Sequence, residues 1–303
     1  MKNSTTFTKL TSADKTFINT YNSSLPPYAD WAYGTLLAWW DFYDDLEYME
    51  QDGNLVIRSS YLSEGKESLI TLVGNNNVSR VIDKLFKWQR ATGQKQILAS
   101  VPSYVVDSLK DKSKYSISED LDNAEYVLSV KSHANLAEPE HKRIRQKLHA
   151  FERQPFYSTL TAEPYPLDTT ESKVALINAL HAWDVKHEND RDFSEGLVID
   201  KVLRIADEID LKCFCITIDG KIASFILYKD LGTDTINLNH LKVNYAYRDI
   251  FHFSLHRFAQ YLDETDVKFM NIEQDLGIEG LRTYKQRLRP THMMRKYTIQ
   301  PAK

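Results

Sequence analysis

Two cysteines in 303 residues leave almost no scope for a disulfide framework. They are Cys213 and Cys215 in K-C-F-C-I-T-I. On a strand, that spacing puts both side chains on one face with Cα atoms roughly 6.5–7 Å apart, which disfavours a mutual bond. No second Cys or His cluster stands nearby to complete a metal site, so buried thiols are expected. The histidines are scattered: His181, His187 and His240 show no ligand spacing, and His252 and His256 lack the H-E-x-x-H pattern of a zinc hydrolase. The absence of a G-x-S-x-G elbow counts against a Ser-His-Asp hydrolase. No apolar run is long enough to cross a bilayer, and M-K-N-S-T-T-F-T-K-L at the N-terminus lacks the apolar core of a signal peptide. A cytoplasmic protein without a metal or bound cofactor is the expectation. Low-complexity tracts and short repeats are also missing.

What is present is a normal globular composition, with 42% hydrophobic and 26% charged residues. A net charge of −4 argues against a broad nucleic-acid-coating surface, though not against a local basic patch. The aromatic stretch P-P-Y-A-D-W-A-Y-G-T-L-L-A-W-W-D-F-Y, with Trp31, Trp39, Trp40 and Phe42, reads as core, because large aromatics dominate core energetics.

Strand-like β-branched runs alternate with helical periodicity along the chain, which indicates an α/β (α+β) protein. Helices are predicted over 78–92, from about 137 to Pro155, and over 171–187, 195–209, 249–263 and from 279. C-F-C-I-T-I-D-G-K-I-A-S-F-I-L-Y predicts a hairpin at Asp219-Gly220. Two α/β halves, 1–155 and 156–303, are the expected division.

Two helices have a cationic side. With about 100° per residue, Lys142, Arg145, Gln146, His149 and Arg153 fall on one side of the first, opposite Ile144, Leu148 and Phe151. Glu152 is the only acidic residue between Lys142 and Arg153, so ion pairs hardly offset the repulsion. On the second, Arg282, Lys285, Gln286 and Arg289 oppose Leu281, Tyr284 and Leu288, and Pro290 ends the helix. Two such faces on an acidic chain point to local anion recognition, whether of phosphate groups, a nucleic-acid end or a carboxylate.

The second helix is preceded by N-I-E-Q-D-L-G-I-E-G-L. Asp275 or Glu279 can accept from the N–H groups at the helix start. Gly277 and Gly280 allow unusual backbone angles or close approach of a ligand. Neither function accounts for Glu273, which ends a strand where open α/β sheets place ligands. A carboxylate there can hold an ammonium group or accept a proton from a nucleophile.

N-I-E-Q-D-L-G-I-E-G-L-R-T-Y-K, together with L-A-E-P-E-H-K-R-I-R-Q-K-L-H-A-F upstream, resembles bacterial proteins related to the C-terminal domain of phosphatidylglycerol lysyltransferase. The likeness extends over almost the whole chain. It implies two tandem GNAT-like domains, the second carrying the N-I-E-Q-D-L-G-I-E-G-L-R motif, in a superfamily that moves amino acids from aminoacyl-tRNA to lipid or peptide acceptors. By that resemblance Arg145, Gln146, Glu273, Asp275, Gly277, Gly280, Arg282 and Lys285 shape the aminoacyl and acceptor pocket, and Lys242 and Arg248 match weaker positions. Glu273, Asp275 and Lys285 are the expected catalytic groups; the others bind substrate. The chain departs from the family pattern at Ile272, where arginine is usual, at Gln274 and Gln146, and in Asp249-Ile250-Phe251, where relatives carry a glycine.

Three functions compete. The first is aminoacyl transfer from aminoacyl-tRNA to a small-molecule, peptide or lipid acceptor, with peripheral membrane contact; it requires the turn and the two cationic helix sides to face one another. The second is an acyl-CoA-dependent N-acyltransferase, for which no glycine-rich phosphate loop follows Arg248. The third is a non-catalytic module binding an amino acid, peptide or RNA end.

Overall fold

The computed structural model describes residues 6–40, 46–59, 69–184, 193–232 and 234–302. Phe42 and His187 lie outside these residues, as do the side chains of Trp39 and Trp40. The chain forms two compact units, one of residues 1–126 with 273–303 and the other of 127–272. The division expected at 155 therefore falls inside the second unit. The reason is a long-range pairing: the C-terminal strand pairs with Leu98–Pro102 of the first unit.

The first unit opens with β1 (Thr8–Lys9), α1 (Lys15–Ser24) and the short α2 (Tyr33–Thr35). Then come β2 (Glu47–Gln51), β3 (Asn54–Ser59) and β4 (Leu69–Val73), and β1 to β4 make an antiparallel sheet in that order. The β2–β3 hairpin turns on Asp52-Gly53, both at positive φ, the chemistry a two-residue hairpin requires. α3 (Val78–Ala91) buries Val78, Val81, Ile82, Leu85 and Phe86, the i, i+3, i+4, i+7, i+8 stripe of an amphipathic helix. β5 (Leu98–Pro102), α4 (Ser103–Asp107) and the long β6 (Tyr115–Ser129) follow. Trp31 is buried, as expected of core.

The second unit runs from the end of β6 through α5 (Val130–Asn135), α6 (Lys142–Glu152), β7 (Thr161–Tyr165), α7 (Thr170–Asp184) and α8 (Phe193–Arg204). It continues with β8 (Lys212–Ile218), β9 (Lys221–Asp230), β10 (Thr235–Val243), α9 (Ile250–Asp263) and β11 (Phe269–Asn271). Asp219 and Gly220, at φ 51° and 71°, make the predicted hairpin between β8 and β9. β10 and β11 are parallel, joined by α9 in a β-α-β crossover, and β9, β8 and β7 extend the sheet on the far side of β10. On the other side β11 pairs antiparallel with the last residues of β6, Val127 to Ser129.

The chain then returns to the first unit with α10 (Glu279–Arg287) and β12 (His292–Pro301), which pairs antiparallel with β5. Both units are mixed α/β, the expected class. Among the described residues no helix is long and apolar enough to cross a membrane.

Candidate functional site

Between β11 and α10 the backbone does something few sequences tolerate. Glu273 (φ 59°), Leu276 (φ 55°) and Gly277 (φ 71°) all lie in the left-handed region, and only the last is glycine. Local propensity does not explain such a turn. Asp275 holds it.

The Asp275 side chain is fully buried. Its Oδ1 accepts from the Gly277 amide (2.9 Å) and from Arg282 Nη2 (2.8 Å). Its Oδ2 accepts from Arg282 Nε (2.9 Å) and from the Tyr126 hydroxyl (2.5 Å). Burial pushes this carboxyl up, but the donors from Arg282, Tyr126 and Gly277 outweigh it and hold Asp275 below the ordinary carboxylate range. Burial, reinforced by the Asp275 carboxylate, pushes the Tyr126 phenol up to about 12. The same turn is tied to β6 by two further bonds. The Tyr126 amide donates to the Glu273 carbonyl (3.1 Å) and the Leu276 amide to the Asp122 carbonyl (2.8 Å). Arg282 Nη2 also reaches Asp122 Oδ1 at 2.6 Å.

Lys285 is buried, and its ammonium donates to the Gln274 carbonyl at 2.6 Å, with the Tyr126 ring 5.9 Å away. Gln274 in turn hydrogen-bonds Asp30. Asp30 and Glu125 clamp Lys296, which is wholly buried: Lys296 Nζ lies 2.8 Å from Glu125 Oε1 and also meets Asp30 Oδ2. Glu125 additionally accepts from the amides of Ala29 (2.8 Å) and Asp30 (3.3 Å). Burial pushes Asp30 above the ordinary carboxylate range in spite of Lys296.

These contacts correct three expectations. Arg282 and Lys285 are not an open cationic face, because their partners, the Asp122 and Asp275 carboxylates for the first and the Gln274 carbonyl for the second, arrive from β6 and from the turn itself. Asp275, with four donors on its two oxygens, is a structural acceptor rather than a free base. Gly280 adopts no special backbone angle; it lies within α10, where an added Cβ would meet nothing within 4 Å. Gly277 does what was expected, since its φ is positive and a Cβ there would stand 2.9 Å from Asp122 Oδ2. Glu273 is half-buried at the end of β11. α10 takes Ile278 as its N-cap, so neither Asp275 nor Glu279 caps it by side chain.

The remaining expected residues lie in the second unit. On α6, Lys142, Arg143, Gln146, His149 and Arg153 are exposed, so this helix does carry an outward basic face. Arg145 is the exception: its guanidinium donates to the Leu136 and Glu138 carbonyls and holds the segment entering the helix. Lys147 pairs with Asp249 (3.2 Å) and His252 (2.9 Å) on α9. Lys242 is half-buried on β10, and Arg248 is almost fully exposed beside Asp249. A separate open cavity of about 490 Å³, bounded by Phe214, Arg257 and Tyr261, contains none of the expected residues.

Asp30, Asp122, Glu125, Tyr126 and Lys296 are the members of this network that sequence reasoning missed. A signal existed only for Lys296, a lysine on the same strand face as Met294 and Thr298 in β12.

The model of the family described as "Phosphatidylglycerol lysyltransferase, C-terminal" matches residues 26–300. No curated protein matches the chain by sequence. Among solved structures, a conserved protein of unknown function from Bacteroides thetaiotaomicron is similar with a TM-score of 0.84 at 20% identity, over 98% of this chain and 99% of that one. The C-terminal domain of a candidate lysylphosphatidylglycerol synthetase from Agrobacterium fabrum gives 0.67 at 14% identity, over 97% and 93%. L-PGS from Bacillus licheniformis gives 0.60 at 15% identity, over 86% and 85%. At these identities the likeness is one of fold.

Proposed function

This chain belongs to the phosphatidylglycerol lysyltransferase C-terminal family, and on that premise we propose that it transfers an aminoacyl group from aminoacyl-tRNA to an acceptor amine or hydroxyl. The acceptor nucleophile attacks the ester carbonyl, its proton passes to a carboxylate, and the tRNA terminal hydroxyl leaves with a proton. The observation that carries this reading is the construction of the 273–277 turn. Asp275 is held by four donors on its two oxygens, and Glu273, half-buried where the strand before it ends, is the carboxylate we assign to accept that proton or to bind the aminoacyl ammonium. The exposed cations of α6, with Arg248, are suited to backbone phosphates. Lys285 and Arg282 serve the reaction by fixing the turn.

The acceptor class follows from the family only in outline: a lipid, a peptide or a small amine. The acyl-CoA alternative is opposed by Asp249, a carboxylate at the start of α9 where a pyrophosphate would need positive potential.

Loss of the aminoacyl group from a set of charged tRNAs, measured with amine, hydroxyl, peptide and lipid acceptors, tests the proposal. Acceleration by one donor–acceptor combination supports it; no acceleration in any overturns it. Glu273→Gln should slow that reaction on the order of 10²-fold with thermal stability retained. A binding module would show no turnover for that substitution to abolish.

A further inference from the structure

The cavity of about 490 Å³ in the second unit is bounded by the end of α5, the edge strand β7, β8 and α9, and no motif residue lines it. α9 supplies most of its polar wall. At about 100° per residue, Arg257, Gln260, Tyr261 and Glu264 fall within about 100° of one another on that helix, and all four line the cavity. Asp263 joins them at the helix end. Tyr261 is held in place, because its hydroxyl bonds to Tyr228 and its ring lies 5.3 Å from that of Phe214. These two rings give the cavity an apolar wall.

Its charges are not those that folding alone would select. Arg257 is half-buried and donates to Gln260 Oε1 at 2.8 Å, yet it forms no ion pair with a carboxylate among the described residues. Asp263 and Glu264, about two turns further along and lining the same cavity, are exposed and likewise pair with no cation among the described residues. The last turn of α9 contains no basic residue, so both carboxylates stand against the negative end of the helix dipole. Lysine or arginine would be the stabilising choice there. One cavity is thus lined by a positive group and a negative group that do not neutralise each other, roughly 10 Å apart from Cα to Cα along one helix.

We propose that this cavity binds a small zwitterion with an apolar side chain, the chemistry that a free amino acid or a dipeptide presents. Arg257 takes the carboxylate through its guanidinium fork. Asp263 and Glu264, reinforced by the carbonyl end of α9, take the ammonium. The side chain of the ligand packs on Phe214 and Tyr261. A plain anion would meet the two carboxylates and a plain cation would meet Arg257, so only a ligand with both charges complements the whole wall. The volume falls in the range of small-molecule sites, roughly 300–1,000 Å³. This inference concerns ligand binding and stands apart from the aminoacyl-transfer reading.

Calorimetric titration of the full chain at neutral pH, without tRNA, compares L-leucine and leucyl-leucine with N-acetylleucine and leucine amide, each of which lacks one of the two charges. Saturable binding of leucine or leucyl-leucine, in the millimolar range or tighter, is expected, and the tighter of the two identifies the source. Removing either charge from the ligand should weaken binding on the order of tenfold. Arg257→Gln and Glu264→Gln should each weaken the zwitterion to a similar degree. Glu264→Gln should melt at or above the parent temperature, because it removes a charge that the helix dipole opposes, so its loss of binding is not a loss of fold. Absence of saturable binding by both zwitterions, equal binding of N-acetylleucine or leucine amide, or equal binding by the two variants overturns the proposal.

Discussion

Arg282 holds Asp275 with two donors at once, Nε on one oxygen at 2.9 Å and Nη2 on the other at 2.8 Å. The guanidinium plane matches the carboxylate plane, a fit that a lysine ammonium cannot reproduce. Because the same Nη2 reaches Asp122, one side chain of α10 fastens both the turn and β6. Asp275→Ala, which leaves the Tyr126 hydroxyl and the Gly277 amide without their acceptor, should cost on the order of 3 kcal/mol in chemical denaturation. Arg282→Lys should lower the melting temperature even though the charge is kept.

The same carboxylate gives a pH signature. Its folded-state value lies below its ordinary 3.8, so its contribution is fully present above that value and is lost as pH falls through the folded value. The stability gap between the parent chain and Asp275→Asn should be constant from pH 7 to about 5 and shrink progressively below pH 4. Thermal melts at stepped pH measure it. A gap that widens on acidification would contradict the assignment of Asp275 as an ionised anchor.

The two motif glycines separate by substitution. Gly277→Ala forces a Cβ into a left-handed residue and to 2.9 Å from Asp122 Oδ2, so it should destabilise by more than about 1 kcal/mol. Gly280→Ala adds a methyl group to an open helical position and should stabilise by up to about 1 kcal/mol. If Gly280→Ala nonetheless abolishes aminoacyl transfer, the position serves close approach of a substrate rather than folding.

Periodicity and turn chemistry carried most of the secondary structure because those signals are local. The stripe Ile250, Phe253, Phe258, Leu262 on α9 and the Asp219-Gly220 hairpin needed no partner to be read. The charges on α10 were legible only as a pattern. Angular position put Lys285 with Arg289 on a polar face, yet Lys285 is buried while Arg289 is exposed. Lys285 is drawn in by the Gln274 carbonyl of the turn, and Arg282 beside it by Asp122 of β6, which lies 160 residues away in sequence. The unit boundary was hidden for the same reason, since nothing local in H-M-M-R-K-Y-T-I announces pairing with L-A-S-V-P.

Cys213 and Cys215 bring their sulfur atoms to 3.6 Å, yet both remain free thiols, buried in the second unit. Burial, with the neighbouring sulfur, pushes the Cys213 thiol well above its ordinary value, so the reactive thiolate is scarce. An aromatic disulfide reagent at pH 8 should therefore label neither cysteine in the native chain and both in guanidinium. Rapid native labelling would show that the face of β8 carrying them opens to solvent.

Lys296 is where removal of one charge should be felt most. It is wholly buried between Asp30 and Glu125, and burial alone would push it down, but the two carboxylates hold it above its ordinary range. Such a group contributes stability that is present below its unfolded value and is lost only as pH rises through the folded one, so the parent chain should show no loss from this source at neutral pH. Lys296→Met removes the cation and leaves two carboxylates facing each other without water, which should cost on the order of 3–5 kcal/mol. One proton taken up by the pair relieves that repulsion. The variant should therefore gain stability between pH 7 and pH 5 while the parent does not, a divergence measurable by denaturant titration. Because Gln274 hydrogen-bonds Asp30, the variant should also loosen the 273–277 turn, seen as faster amide exchange at Leu276 and Gly277. A variant with parent-like exchange and no acid gain would show that the buried charges neither repel nor reach the motif.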